Sequence, residues 1–279
     1  MTMTLNHLQL KAICHVALDM DGTIYNGSTL FPYTLDFLAG LQEMGIGYTF
    51  LTNNSSKSVA EYLNKIHALG IEATRDNVYT SALATQKYIR NVYPDANRVF
   101  ILGTSGLKQE FTDAGYTVVN GDLELEPELV VVGFDTTLTF ERLSKGAYWI
   151  KQGKPFIATH PDYICPTDEP MVLVDCGAVC AALEKATGII PEAVPGKPNP
   201  LMLEGILEEH GLKKHELAMV GDRLYTDVAM AQESGTVGVL VLTGEATEAD
   251  IETSPFTPDL LVPSIKELGE KLRQSRNEL

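Results

Sequence analysis

The sequence predicts an α/β protein: parallel sheets flanked by helices, with a second α/β unit inserted into the first. Three observations carry this expectation. Short apolar runs alternate with amphipathic segments along most of the 279 residues. Two acidic residues, Asp19 and Asp21, stand directly after an apolar run, where parallel sheets place their ligands. The blocks of chemistry-bearing residues are so spaced that only one interval has room for an extra unit.

Strand-like runs fall at 16–18, 48–51, 99–102, 129–132, 156–158, 217–220, 237–242 and 260–262. Helical patterns fall between them at 59–69, 140–151, 177–186, 201–209 and 227–234. The charged tail at 266–279 reads as a helix with a frayed end. About 33 residues separate Asp19 from Thr52, enough for one helix and one strand. About 145 separate Thr52 from Lys197, far more than one crossover needs. A complete α/β unit is therefore expected at 82–190, with 1–81 and 191–279 forming the core domain.

Composition narrows the function. A net charge of −16 opposes nonspecific binding to nucleic acid or to an anionic membrane. It also repels phosphorylated molecules, but screening limits that repulsion to roughly 8–10 Å. No run of about 18 apolar residues is present, so no membrane span is expected. The first eleven residues lack the apolar stretch of a signal peptide. Cys14, Cys165, Cys176 and Cys180 form no C-x-x-C pair and no zinc spacing. Cys176 and Cys180 read as small apolar groups on one helix. A cytoplasmic protein is the expectation. Nothing in the sequence sets the oligomeric state, and a homodimer is allowed.

The chemistry concentrates in four blocks: Asp19-Met-Asp21-Gly22-Thr23, Thr52-Asn53-Asn54, Gly196-Lys197-Pro198, and Gly221 through Asp227. Asp19, at a strand end, suits a nucleophile that attacks phosphorus and forms an aspartyl-phosphate. The bland reading is an aspartate capping a turn. For Asp21, the backbone carbonyl suits a metal and the side chain suits proton transfer. Thr52 and Asn53 offer a hydroxyl and main-chain N–H groups to a phosphoryl group. The same stretch also reads as a plain capped turn, with Ser55 and Ser56 opening the next helix. Lys197 alone would be a solvated charge, yet these blocks need a cation. Asp222 suits a direct metal ligand, and Asp227 suits a place behind it, fixing Lys197 or a metal-bound water. An oxygen-only set favours Mg²⁺ over zinc. Arg223 suits pairing with neighbouring carboxylates. In the inserted unit, His160, Asp162 and Asp175 stand in loops suited to facing a substrate. His160 has an equal reading as a satisfied loop histidine, and Asp175 as a helix cap.

Together, and in this order, the four blocks resemble those of the haloacid dehalogenase (HAD) superfamily. They are most similar to its NagD-type, p-nitrophenylphosphatase-like branch, over about residues 12–262. The resemblance implies a Rossmann-like core with an α/β cap that closes over the active site. It implies that Lys197 positions Asp19 and the phosphoryl oxygens, and that Asp21 is both metal ligand and acid–base. Members that cleave carbon–halogen bonds lack the second aspartate, so Asp21 favours phosphoryl transfer. The implied activity is Mg²⁺-dependent hydrolysis of a small phosphorylated metabolite: a sugar phosphate, nucleoside monophosphate or pyridoxal phosphate. The rivals are a phosphotransferase or mutase on the same core, and a non-catalytic binding protein that kept the fold. Dinucleotide binding lacks its G-x-G-x-x-G after the first strand.

Overall fold

The computed structural model describes residues 4–165 and 171–277. Positions 278 and 279 of the expected C-terminal helix lie outside it. The chain divides into two compact units. One takes the described residues up to Thr52, then Lys65–Tyr79, then the chain from Lys197 onward. The other takes Asn53–Asn64 and Thr80–Gly196.

The first unit is built on a six-stranded sheet. Its strands run in the order Leu260–Val262, Val237–Val241, Leu217–Gly221, His15–Asp19, Gly47–Thr52, Val78–Thr80. The four pairings from Leu260–Val262 across to Gly47–Thr52 are all parallel. The chain starts at the centre, builds outward through Gly47–Thr52, and later returns to fill the other side. His15–Asp19 thus sits where the strand order reverses, and a crevice opens at the carboxyl ends of such strands. Leu18 pairs with Val220 on one side, and Asp19 pairs with Leu51 on the other. That register brings Asp19, Thr52 and Asp222 to one edge. Val16, Ala17, Leu18, Phe50 and Leu51 are fully buried, as strands covered on both faces require. The C-terminal helix Ile265–Asn277 buries Ile265, Leu268 and Leu272, one helical face, and packs on Thr34–Glu43.

The second unit has a four-stranded parallel sheet, in the order Thr117–Val119, Arg98–Leu102, Leu129–Val132, Phe156–Ala158. Alternate residues face opposite sides. Phe100, Leu102, Val130 and Val132 meet Trp149 and Ile150 of helix Phe140–Lys151 and Val179 and Leu183 of helix Cys176–Thr187. Val99, Ile101, Leu129 and Val131 meet Ile89 of Ser81–Val92 and Leu107 and Phe111 of Ser105–Asp113. Both faces are covered, which explains why these strands read as unbroken apolar runs. An antiparallel ribbon, Ile164–Cys165 with Leu173–Val174, stands apart from this sheet.

One local expectation is corrected. Ser55 and Ser56 do not open the next helix, which is Val59–Ala68. Ser58 does: its hydroxyl accepts the Glu61 N–H at 3.3 Å, while the Glu61 carboxylate accepts the Ser58 N–H at 2.7 Å. Ser55 turns inward and Ser56 bonds to Asn54. Among the described residues, no helix is long and apolar enough to cross a membrane.

Phe111 is fully buried between helix and sheet, whereas Phe140 is 85% exposed at a helix start. Phe111→Ala should cost about 3–5 kcal/mol, and Phe140→Ala less than about 0.5 kcal/mol. Urea unfolding midpoints of the two variants check the contrast.

Candidate active site

The site begins with a glycine turn. After Asp19 the chain turns at Gly22, whose φ of +81° suits a residue without Cβ. A Cβ there would also lie 2.5 Å from Asp222 Oδ2. On the other side, a Cβ at Gly244 would lie 2.0 Å from the same oxygen. Bare backbone on both flanks lets the Asp222 carboxylate fit at the strand end. The Glu245 N–H donates to Asp222 Oδ2 at 2.7 Å, and the Thr243 hydroxyl donates to the Gly22 carbonyl at 2.5 Å. Among the described residues, Asp222 Oδ1 is buried with no hydrogen-bond partner.

Lys197 lies buried beside this turn. Its ammonium donates to Asp19 Oδ1 and, at 2.7 Å, to Asp227 Oδ1. Burial works against its charge, but the two carboxylates outweigh burial and raise its pKa above the ordinary lysine value. Asp227 Oδ2 accepts the Arg223 N–H at 3.2 Å. Arg223 pairs with Glu245 at 3.0 Å, a surface carboxylate that Tyr225 also contacts at 2.8 Å.

Asp19, Asp222 and Asp227 bring carboxylate oxygens within 4.8 Å of one another. Three carboxylates face one ammonium. Burial, then the Asp19 and Asp227 charges, push the Asp222 pKa up to about 7. Asp227 is also raised, by burial first, with Lys197 pulling the other way. These oxygens fit a hard divalent cation: Asp222 Oδ1 has no hydrogen-bond partner among the described residues, and a cation would relieve the repulsion between the carboxylates. The Asp21 side chain is exposed, with Oδ1 accepting the Gly27 N–H at 3.2 Å. It is not among the clustered carboxylates. Thr52 is the last residue of its strand.

The remaining candidates belong to the second unit. Asn53 Nδ2 donates to Asp162 Oδ2 at 3.0 Å, and the Asn53 carbonyl accepts the Ser81 hydroxyl at 2.6 Å. Asp162 is part-exposed, but His160 and Asp175 are buried. His160 Nε2 meets Asp175 Oδ1 at 2.9 Å, and Nδ1 meets the Thr159 hydroxyl at 2.8 Å. Burial opposes charge on this ring. The Cys176 sulfur and the Asp175 and Asp162 carboxylates outweigh burial and raise its pKa to about 9. Asp175 also caps helix Cys176–Thr187 through the Cys176 N–H at 2.6 Å. His160 and Asp175 are thus bonded to each other, in the arrangement of a satisfied loop histidine and a helix cap that the sequence also allowed. Sequence reading missed Thr243, Gly244 and Glu245, although a Thr-Gly pair right after a strand run was a usable signal. The bond between Thr159 and Ser55, at 3.0 Å, is one for which the sequence carries no local signal.

Two family models match: haloacid dehalogenase-like hydrolase at residues 16–117 and HAD-hydrolase-like at 194–268. The chain is 36% identical to an acid sugar phosphatase of Staphylococcus epidermidis over 241 residues, 86% of this chain and 91% of that protein. It is similar to the structure of 4-nitrophenylphosphatase from Thermotoga maritima, with TM-score 0.88 and 41% identity over 94% of this chain and 98% of that one. It is also similar to glycerol phosphate phosphatase from Mycobacterium tuberculosis in complex with magnesium, with TM-score 0.86 and 28% identity over 95% and 79% of the two chains. With its length covered by these relatives, the chain belongs to the haloacid dehalogenase-like hydrolases, in their NagD/p-nitrophenylphosphatase-type branch of phosphatases.

Proposed function

We propose that this protein is a Mg²⁺-dependent phosphomonoester hydrolase that works through an aspartyl-phosphate on Asp19. One observation carries the reading: a buried lysine joins Asp19 to Asp227, beside an Asp222 oxygen that has no partner. Lys197 holds one oxygen of Asp19, which leaves the other for in-line attack on phosphorus. The ester oxygen leaves as Asp21 donates a proton to it. Asp21 then takes a proton from water, which attacks the aspartyl-phosphate and frees phosphate and Asp19. Thr52 and Asn53 hold phosphoryl oxygens together with the Lys197 charge. Asp19, the Asp21 carbonyl and Asp222 would hold Mg²⁺, which supplies positive charge to the phosphoryl oxygens, and Asp227 stands behind them to fix Lys197.

The substrate class we infer is small phosphorylated metabolites, sugar phosphates foremost, with nucleoside monophosphates and pyridoxal phosphate as further members. The names of the relatives support the sugar and polyol end of that range. Selection of the leaving group falls to the inserted unit at about 82–190, acting as a cap, since the core residues above are all used on phosphate, metal and water. Asp162 and the exposed apolar ribbon beside it, with Tyr163, Ile164 and Val172, are the surface we assign to that task. Cytoplasmic localisation is part of the same reading, supported by Cys14, Cys176 and Cys180, which stand as thiols among the described residues.

Asp19→Asn should lower p-nitrophenyl phosphate turnover at least about 1,000-fold while leaving the protein folded. A variant that turned over at the wild-type rate, free of deamidation, would refute the nucleophile. Metal linkage gives a second check. The Asp222 pKa lies above its unfolded value of 3.8, at about 7, so the metal-free native state holds more protons than the unfolded chain between these values. Metal-free stability should then fall as pH rises through that window. Mg²⁺ removes the repulsion and competes with those protons. Added Mg²⁺ is expected to raise the thermal midpoint more at pH 8 than at pH 5, and equal shifts at the two pH values would count against Asp222 as a ligand.

A further inference from the structure

The buried pair His160–Asp175 lies outside the chemistry assigned above, yet it is tied to the segments that carry that chemistry. Thr159 is the link. Its hydroxyl meets His160 Nδ1 at 2.8 Å and Ser55 Oγ at 3.0 Å, and Ser55 Oγ accepts the Phe134 N–H at 3.0 Å. The Thr159 carbonyl accepts the Gly196 N–H at 2.8 Å. Gly196 is packed so closely that a Cβ there would lie 2.4 Å from the Thr159 carbonyl oxygen. The same Cβ would lie 2.8 Å from both Asn53 Oδ1 and His160 Cβ. One turn further along, Asp162 Oδ2 accepts from Asn53, and the Asp162 carbonyl accepts the Gly177 N–H at 2.8 Å. The loop 159–162 therefore touches Asn53 and Gly196 directly. Asn53 is itself a proposed phosphoryl contact and directly follows Thr52, while Gly196 directly precedes Lys197.

We propose that the His160–Asp175 pair is a positioning device for phosphoryl binding: it locks the loop 159–162, which in turn fixes Asn53 and the approach of the chain to Lys197. The inference rests on the reading of Asn53 and Lys197 as phosphoryl contacts. The physical basis is polar satisfaction. A fully buried imidazole with both nitrogens engaged, against a buried carboxylate that also caps a helix, has one low-energy arrangement, because breaking either bond strands a polar group. His160 and Asp175 thus act through Thr159 and Asp162, without touching the substrate themselves. A positioning role differs in its consequences from a leaving-group contact. Loss of a leaving-group contact reorders substrates. Loss of a device that sets the phosphoryl site weakens every phosphate ester alike, and weakens inorganic phosphate, which has no leaving group.

Inorganic phosphate, measured by titration calorimetry in Mg²⁺, is the probe. Asp175→Asn keeps the shape and the cap but removes the charge on His160's partner, and Thr159→Val removes the link to Ser55. Both should weaken phosphate binding about tenfold and raise KM by a common factor for p-nitrophenyl phosphate and for sugar phosphates, leaving their ranking unchanged. Thr159→Ser, which keeps the hydroxyl, should restore wild-type values. Folded variants that bind phosphate as tightly as wild type would overturn the proposal and leave the pair a purely structural one. So would a reordered substrate ranking with phosphate binding intact, which would make the pair a leaving-group contact. If Asp175→Asn does not fold, Thr159→Val against Thr159→Ser decides. Calorimetry needs no turnover, so an inactive wild type that binds phosphate sinks the hydrolase reading alone. A wild type that binds no phosphate sinks both.

Discussion

The structure depends on one buried cation. Lys197 is almost fully enclosed, and its ammonium joins Asp19 to Asp227. A lone lysine so placed would carry a heavy desolvation cost, as would either carboxylate. Held together, each offsets the others' desolvation, and the arrangement is rigid because each partner is fixed from behind. Asp19 ends a central strand with neighbours on both sides, and Asp227 accepts an N–H from its own turn. The charges still do not balance. Asp222 is inserted between two stretches of glycine backbone with one oxygen unpartnered. The deficit is positive charge, and supplying it is what a divalent cation does at such a site.

The sheet explains why these groups meet. Only at a reversal of strand order do adjacent parallel strands send their following loops to opposite faces, which leaves a crevice between them. His15–Asp19 occupies that place, with Leu217–Gly221 on one flank and Gly47–Thr52 on the other. Asp19, Asp222 and Thr52 need no long-range design beyond register. They share an edge because the three strands stop at nearly the same level. The glycines then do the fine adjustment, since a single Cβ at Gly22 or Gly244 would displace the Asp222 carboxylate.

The central strands and their terminal acids were legible in the sequence because parallel strands covered on both faces are unbroken apolar runs, and each functional acid follows one. What escaped was short or half-exposed. Thr117–Val119 is three residues with one buried, and the hairpin Tyr25–Asn26 with Thr29–Leu30 has two residues a side. Neither length gives a period to read. The helix start at 59 was legible, but its cap was misassigned because the run 52–58 holds several residues that cap equally well, and the Glu61 carboxylate, three residues on, selects Ser58. The burial of His160 could not be read at all. Its partner stands 15 residues away, beyond a ribbon, and no local pattern says that a loop histidine and a helix cap will meet.

Net charge and site charge pull in opposite directions, and their ranges decide which prevails. A chain of net charge −16 repels a phosphate ester only within roughly 8–10 Å of its surface, because salt screens the repulsion beyond that. Within that distance the local arrangement at the site decides whether an anion is held. Without a bound cation the clustered carboxylates would extend the repulsion to contact, because Asp19, Asp222 and Asp227 outnumber Lys197. With one, the same carboxylates become the holder of a positive site that faces an anion. The acidic surface then has a selective effect: within the screening distance it penalises every anion, while attraction is confined to what fits against Lys197 and a bound cation. On the proposed reading, affinity for phosphate esters is conditional on metal, and Asp222, a carboxylate whose ionisation burial and its neighbours oppose, is one with an oxygen left to give.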